Sequence, residues 1–351
     1  MKIRLYTSGS ILVLAALGVM LFTHSTKAQD DGEFALQVTP SPLVATLKPG
    51  QSATLDLKIR NQGAHSENLK IQSRDFHFDS KTQKISIDDT RASSIEGWLS
   101  FSSPTFSIGA GQTITQRVTL SLPKEAGFNY SFALVISRVA QSNSNKSSHQ
   151  LKGSLALFTL INIDRPGATR KLELGKINTS KQVYEYLPAE VDIELKNTGN
   201  SIFQPRGNVF IQRGEHDKEP INTLALNANN AYILPGTTRV IKVEWADGFQ
   251  VEKTTTLDDG STKKGIVWDW SNLSHLRIGH YTAKVVVLYN DGQRDIPLEG
   301  SVGFWIFPWK LLLGVLVIIL FIAVGVWSTM SKFVRLTRKA RAGTKKKLKK
   351  S

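Results

Sequence analysis

The sequence contains no cysteine, which excludes disulfides, thiol nucleophiles and Cys-ligated zinc or iron–sulfur centres. It also lacks acid at its ends. Across 351 residues, 44 Lys and Arg stand against 29 Asp and Glu, and the surplus is terminal. Ten bases and no acid follow from Lys332 onward; with Lys2, Arg4 and Lys27 also set aside, 31 bases face 29 acids in the remainder. A near-neutral middle argues against nucleic acid as a partner, because phosphate recognition needs clustered cations on the folded module. Amphipathic helical periodicity is missing between the two apolar segments near the termini. So are Gly-x-Ser-x-Gly, His-Glu-x-x-His and a Gly-rich phosphate loop.

The histidines do not converge on a catalytic set or a metal site. His24 is near the N-terminus, His65 and His216 fall in polar loops, and His149 sits in the Ser/Asn-rich run Gln141 to Gln150. His77 alternates with Phe76 and Phe78, which places it on the solvent face of a strand. His275 and His280 are five apart, a poor metal spacing without further ligands. Asp258-Asp259-Gly260 offers too few alternating oxygens for a calcium cage and reads as a solvated turn. No catalytic residue, cofactor or metal is therefore assigned, and the chain is read as non-enzymatic. An envelope hydrolase remains the rival reading, since a carboxylate pair is defined by distance in space.

What is present begins with membrane signals. Lys2 and Arg4 precede the apolar run Ile11 to Phe22, and Thr26-Lys27-Ala28 suits a small-residue cleavage site, so residues 1–28 read as a signal peptide cut after Ala28. The second apolar segment is longer: Leu311 to Ser331 gives 21 uncharged residues, about 31 Å of helix against a bilayer core of about 30 Å. Residues 307–331 are assigned to a transmembrane helix. Trp305, Trp309 and Trp327 stand near its ends, where amphipathic rings favour the headgroup level. The basic tail 332–351, with Lys332, Arg335, Arg338, Lys339, Arg341, Lys345, Lys346 and Lys347, is placed in the cytoplasm by the positive-inside rule. The expected protein is an integral, single-pass type I protein of the cell membrane with its large part outside.

That large part reads as strands. Ala53, Leu55, Leu57 and Ile59 alternate with polar residues at the period of a half-buried strand. Val118 to Leu122, Phe132 to Ile136, Val191 to Leu195 and Tyr281 to Tyr289 do the same. Turn residues punctuate them at Pro49-Gly50, Asn61-Gln62-Gly63, Asn197-Thr198-Gly199, Pro235-Gly236 and Asn290-Asp291-Gly292. The order of these elements recurs: an Asn-x-Gly turn closes a strand, and Gly111-Gln112-Thr113 or Gly236-Thr237-Thr238 opens a later one. The expected fold is all-β, with two immunoglobulin-like antiparallel sandwiches, residues 29–165 and 166–304, joined at Arg165-Pro166-Gly167 and followed by the transmembrane helix. An insertion, 246–277, interrupts the second. Its Trp268 and Trp270, two apart and able to share one face, either plug the sandwich end or form the candidate contact for a protein partner or glycan.

In its organisation the chain resembles the cell-surface proteins of Gram-positive bacteria that interact with WxL-domain proteins. The sequence likeness lies mainly in the first sandwich: Phe34-Ala35-Leu36-Gln37-Val38-Thr39-Pro40, Leu47-Lys48-Pro49-Gly50-Gln51, Asn61, Trp98-Leu99, Gly109 to Val118 and Leu122-Pro123-Lys124-Glu125-Ala126. In the second sandwich, Asn200 to Gly207, Leu234-Pro235-Gly236 and Trp245 look like a relative of the family pattern. The resemblance implies a peptidoglycan-binding sandwich, a sandwich that binds a secreted WxL partner, one transmembrane helix and a basic tail. It implies no single binding residue. The function expected is a membrane-anchored extracellular binding or scaffold protein of the bacterial envelope. The alternative is a chaperone-like assembly factor or accessory subunit that adds a strand to a client.

Overall fold

The computed structural model describes residues 34–92, 95, 97–139, 153–215, 219–256 and 261–348. The signal segment 1–28, the run Gln141 to Gln150, Asp258-Asp259-Gly260 and the histidines at 24, 149 and 216 lie outside the described residues. The chain divides into two compact units. One comprises residues up to Phe76, Ile87–Ala126 and Tyr130–Leu160; the other comprises His77–Ser86, Gly127–Asn129 and Ile161 onward.

The first sandwich is built from β1 (Leu36–Thr39), β2 (Leu43–Leu47), β3 (Ser52–Asn61), β4 (Glu67–Asp79), β5 (Lys84–Arg91), β6 (Leu99–Phe101), β7 (Thr105–Ile108), β8 (Thr113–Ser121), β9 (Asn129–Arg138) and β10 (Ser154–Ile163). One sheet runs β1-β3-β8-β6; the other runs β2-β10-β9-β4-β5, with β7 also on β4. Alternating apolar residues explain the two layers, because successive side chains on a strand point to opposite faces. Leu57, Ile59, Val118 and Leu120 face inward from one sheet, and Leu69, Ile71, Leu134, Ile136 and Ile161 from the other, all buried. His77 is exposed between partly buried Phe76 and buried Phe78, as its alternation predicts. Between β1 and β2 the chain changes sheets through Pro40 and Pro42, which have no backbone N–H to donate to a ladder.

The second sandwich repeats this plan with β11 (Leu172–Thr179), β12 (Val183–Tyr184), β13 (Ala189–Asn197), β14 (Arg206–Arg213), β15 (Asn222–Ala225), β16 (Thr238–Trp245), β19 (Gly279–Asn290) and β20 (Asp295–Ile306). Its sheets run β11-β13-β16 and β12-β20-β19-β14-β15. Strand for strand, β11-β13-β16 matches β1-β3-β8, and β12-β20-β19-β14-β15 matches β2-β10-β9-β4-β5. The repeat expected from turn residues is thus a repeat of topology. Local pairings depart from the antiparallel expectation: Val183↔Trp305 and Tyr184↔Ile306 are parallel, as is the isolated bridge Leu187↔Val251. The strand entering the sandwich crosses to the second sheet without reversing, so it meets the last strand travelling the same way. The core gathers Val191, Ile193, Leu195, Val209, Ile211, Trp245, Tyr281, Val285 and Phe304.

Outside the shared plan stand β6 and β7 of the first sandwich and two further features. The link between β8 and β9 is the short run Leu122 to Phe128, whereas the corresponding link between β16 and β19 holds a hairpin, β17 (Gln250–Thr256) with β18 (Thr262–Trp268), and a 3-10 helix, Trp270–His275. The other is α1 (Trp309–Leu348), whose stretch Trp309–Val334 is long and apolar enough to cross a membrane. Its backbone remains helical through the basic residues from Lys332 to Lys347.

Candidate functional site

The features that could recognise a partner gather where the insertion meets the second sandwich. At its base, Phe249 N–H donates to His275 O at 2.8 Å and Asp269 N–H donates to Phe249 O at 2.8 Å. These bonds tie the start of the hairpin to both ends of the 3-10 helix. Asp269 caps that helix through its side chain, accepting from Ser271 N–H at 3.1 Å, a residue type suited to a helix N-terminus. Asp247 pins the other end: its carboxylate lies 2.6 Å from His275 Nδ1 and 2.9 Å from an Arg277 guanidinium nitrogen. Asn222 adds a third donor at 3.2 Å. His280 instead stands against the Trp305 ring, with centroids 5.2 Å apart. The two histidines therefore have different partners, and among the described residues no group of three His, Cys, Asp or Glu is placed to hold a metal ion.

On this base stands an aromatic cluster. Trp268 ends β18 and Trp270 opens the 3-10 helix; their rings stack with centroids 5.9 Å apart and 11° between planes. Both meet the buried Phe249 ring edge-on, at 5.5 and 5.2 Å, a favoured aromatic geometry. Trp268 is 40% exposed and Trp270 74% exposed. Neither plugs the sandwich. That place belongs to Trp245, fully buried, with Tyr281 at 5.2 Å and Phe304 at 6.1 Å. The sequence pointed to the shared face of Trp268 and Trp270, but it comes from a strand end and a helix start rather than from one strand. Ile266 shares the Trp268 face of β18 while Val267 points to the other face, and both are exposed, as is Leu273.

A second cluster surrounds the start of α1. Lys310 Nζ lies 2.9 Å from Glu185 Oε2 and stands over the Trp309 and Tyr186 rings at 5.4 and 6.0 Å. Partial burial works to raise the Glu185 carboxyl, but hydrogen bonds from Lys310 and Tyr186 and the Lys310 charge outweigh it and hold the group below the ordinary glutamate range. Burial, together with Glu185, pushes the Tyr186 phenol up. Trp305 and Trp309 are about half exposed and Trp327 is 79% exposed.

A third feature is an open groove of about 570 Å³ where β11 meets β20, with Leu172, Leu174, Ile177 and Leu298 in its lining. Glu173 and Glu299 border it, and each faces a lysine, Lys171 at 3.5 Å and Lys284 at 3.6 Å. Exposed pairs of this kind contribute little to stability. The register of β11 on β13 slips between Leu174 and Ile177, an irregularity that disfavours extension of the sheet by another strand.

No family model matches this sequence, and no curated protein matches it. Among solved structures, the chain is similar to the Escherichia coli chaperone DraB, at 12% identity and a TM-score of 0.34, over 67% of this chain and 98% of that one. It is similar to the class 5 fimbriae chaperone CfaA at 13% identity and a TM-score of 0.35, over 76% and 98%. The Pseudomonas aeruginosa CupB2 chaperone follows at 8% identity and a TM-score of 0.34, over 77% and 100%. The immunoglobulin-like fold is established by the sheets themselves, and similarity at this level says nothing of what this chain binds.

Proposed function

We propose that this chain is a non-enzymatic, membrane-anchored binding protein of a bacterial cell surface. Its first sandwich binds a wall glycan, and its second binds a secreted surface protein, as in the WxL-interacting family it resembles. The observation that carries the reading is the junction of sandwich and helix: β20 ends at Ile306 and α1 begins at Trp309, so only Phe307 and Pro308 separate a packed strand from an apolar helix. Trp309–Val334 supplies about 39 Å of helix at 1.5 Å per residue, enough for a bilayer core of about 30 Å with some tilt. The bases beyond it direct that end to the cytoplasm. The test is sedimentation of the detergent-solubilised full-length protein with isolated cell wall and with protein-depleted wall polymer. Retention on the bare polymer is expected; absence from both pellets would remove the glycan role.

One observation favours a second reading, strand addition to a client. Strand β5 ends its sheet and runs for eight residues with Ile85 and Ile87 about 40% exposed, whereas β16, another eight-residue strand that ends a sheet, already gives its Thr238 and Val240 N–H groups to the Ser80 and Gln83 side chains. A client strand laid on β5 would find open ladder groups and two apolar side chains. Replacing Ser86 with Pro removes one N–H from that strand. Loss of client capture with retained wall binding would favour this reading over the first.

A further inference from the structure

The tryptophan hairpin and the membrane helix emerge from the same end of the second sandwich. Phe249, Leu276 and Tyr186 line one recess together with Ile306 and Pro308, the residues that lead into α1. Phe249 is also the ring against which Trp268 and Trp270 pack. The opposite end of the same strand pair is the Asn290 to Asp295 turn, since Gly279 pairs with Ile306 and Asn290 with Asp295. Along α1, Trp309 and Trp327 are separated by about 27 Å at 1.5 Å per residue, close to the thickness of a bilayer core. Trp309 then marks one headgroup level, and the recess beside Pro308 lies at it.

We propose that the β17–β18 hairpin and its 3-10 helix form a second membrane contact, seating Trp268, Trp270 and Leu273 in the headgroup region of the outer leaflet of the bilayer that α1 crosses. The proposal rests on the reading of α1 as a membrane span. Two observations favour a lipid surface over a sugar or a protein. The exposed side chains are the amphipathic and aliphatic types that partition to a bilayer interface: Trp270 at 74%, Leu273 at 59%, Val267 at 47%, and Ile266 and Trp268 each at 40%. The other is position: Phe249, on which Trp268 and Trp270 pack, shares its recess with Glu185 and Tyr186 of the collar around the start of the helix. Two attachments, one spanning and one interfacial, fix how the second sandwich stands on the membrane.

The absence of native cysteine allows single-site labelling of the full-length chain. Leu273→Cys, Phe321→Cys and Gln293→Cys each receive a polarity-sensitive fluorophore after reconstitution into phosphatidylcholine–phosphatidylglycerol vesicles. The vesicles carry nitroxide either on the headgroup or deep in the acyl chain. Headgroup nitroxide should quench the label at 273, deep nitroxide the label at 321, and neither the label at 293. Quenching at 321 without quenching at 273 would overturn the hairpin contact while leaving the span intact. If the unquenched label at 273 then responded to added wall polymer, the surface would belong to a glycan instead. No quenching at 321 would overturn the span itself and the proposal with it.

Discussion

At the scale of single residues, the two sandwiches share a buried asparagine that fastens equivalent turns. Asn61 Nδ2 donates to His65 O at 2.7 Å and Gly109 O at 3.2 Å, while its Oδ1 accepts from Gly63 N–H at 2.9 Å. Asn197 repeats the pattern: Nδ2 donates to Ser201 O at 2.9 Å and Ile233 O at 3.0 Å, and Oδ1 accepts from Gly199 N–H at 3.0 Å. Each buried amide bridges two loops and has its own donor and acceptor satisfied there. Asn197→Ala should destabilise the second sandwich by about 1–3 kcal/mol, the cost of orphaned buried polar groups, measured by urea unfolding of the full-length chain in detergent. The tryptophans divide by burial. Trp245→Ala should cost about 3–5 kcal/mol as a core deletion, whereas Trp270→Ala should stay within about 0.5 kcal/mol as a surface change. The Asn turns were legible in the sequence because their residue types sit at short fixed offsets. The Asp247, His275 and Arg277 cluster was not, because contact across some 30 positions leaves no local pattern.

At the scale of elements, alternation marked the strands well because one face of each is buried and the other wet. It could not assign them to sheets, because the crossing of β1 to β2 and of β11 to β12 depends on pairings between strands distant in the chain. Gly207 shows a further constraint hidden from pattern reading. In β14 it adopts φ of +148°, and a Cβ there would sit 2.0 Å from Val286 O. Gly207→Ala must therefore displace β14 from β19, lowering the urea midpoint of the second sandwich with no loss of helix signal by circular dichroism. The ion pair between Glu185 and Lys310 links the sandwich to α1 and gives a pH signature. Because the folded-state Glu185 value is depressed, its contribution is complete above the ordinary glutamate range and is lost as pH falls through the depressed value. The difference in unfolding midpoint between the native chain and Glu185→Gln should accordingly shrink below that range. A difference that persists unchanged in acid would contradict the assignment.

At the scale of the whole molecule, the long apolar helix was legible from composition alone: Leu311 to Ser331 is an uncharged run of 21 residues, and the structure makes it part of a helix long and apolar enough to cross a membrane. The repeat of turns anticipated a repeated sheet order, since each copy needs the same turn residues to bring its strands back. Partner identity was not legible, because exposed aromatic side chains suit a glycan, a protein or a lipid equally until their position relative to α1 is known. The central claim is that α1 separates extracellular sandwiches from a basic cytoplasmic end, and a membrane-impermeant maleimide applied to intact cells tests it most directly. With single cysteines placed by Gln293→Cys or Lys347→Cys in the full-length chain, position 293 should label on intact cells and position 347 only after permeabilisation. Labelling of position 347 on intact cells, or of neither position until the membrane is opened, would contradict the account.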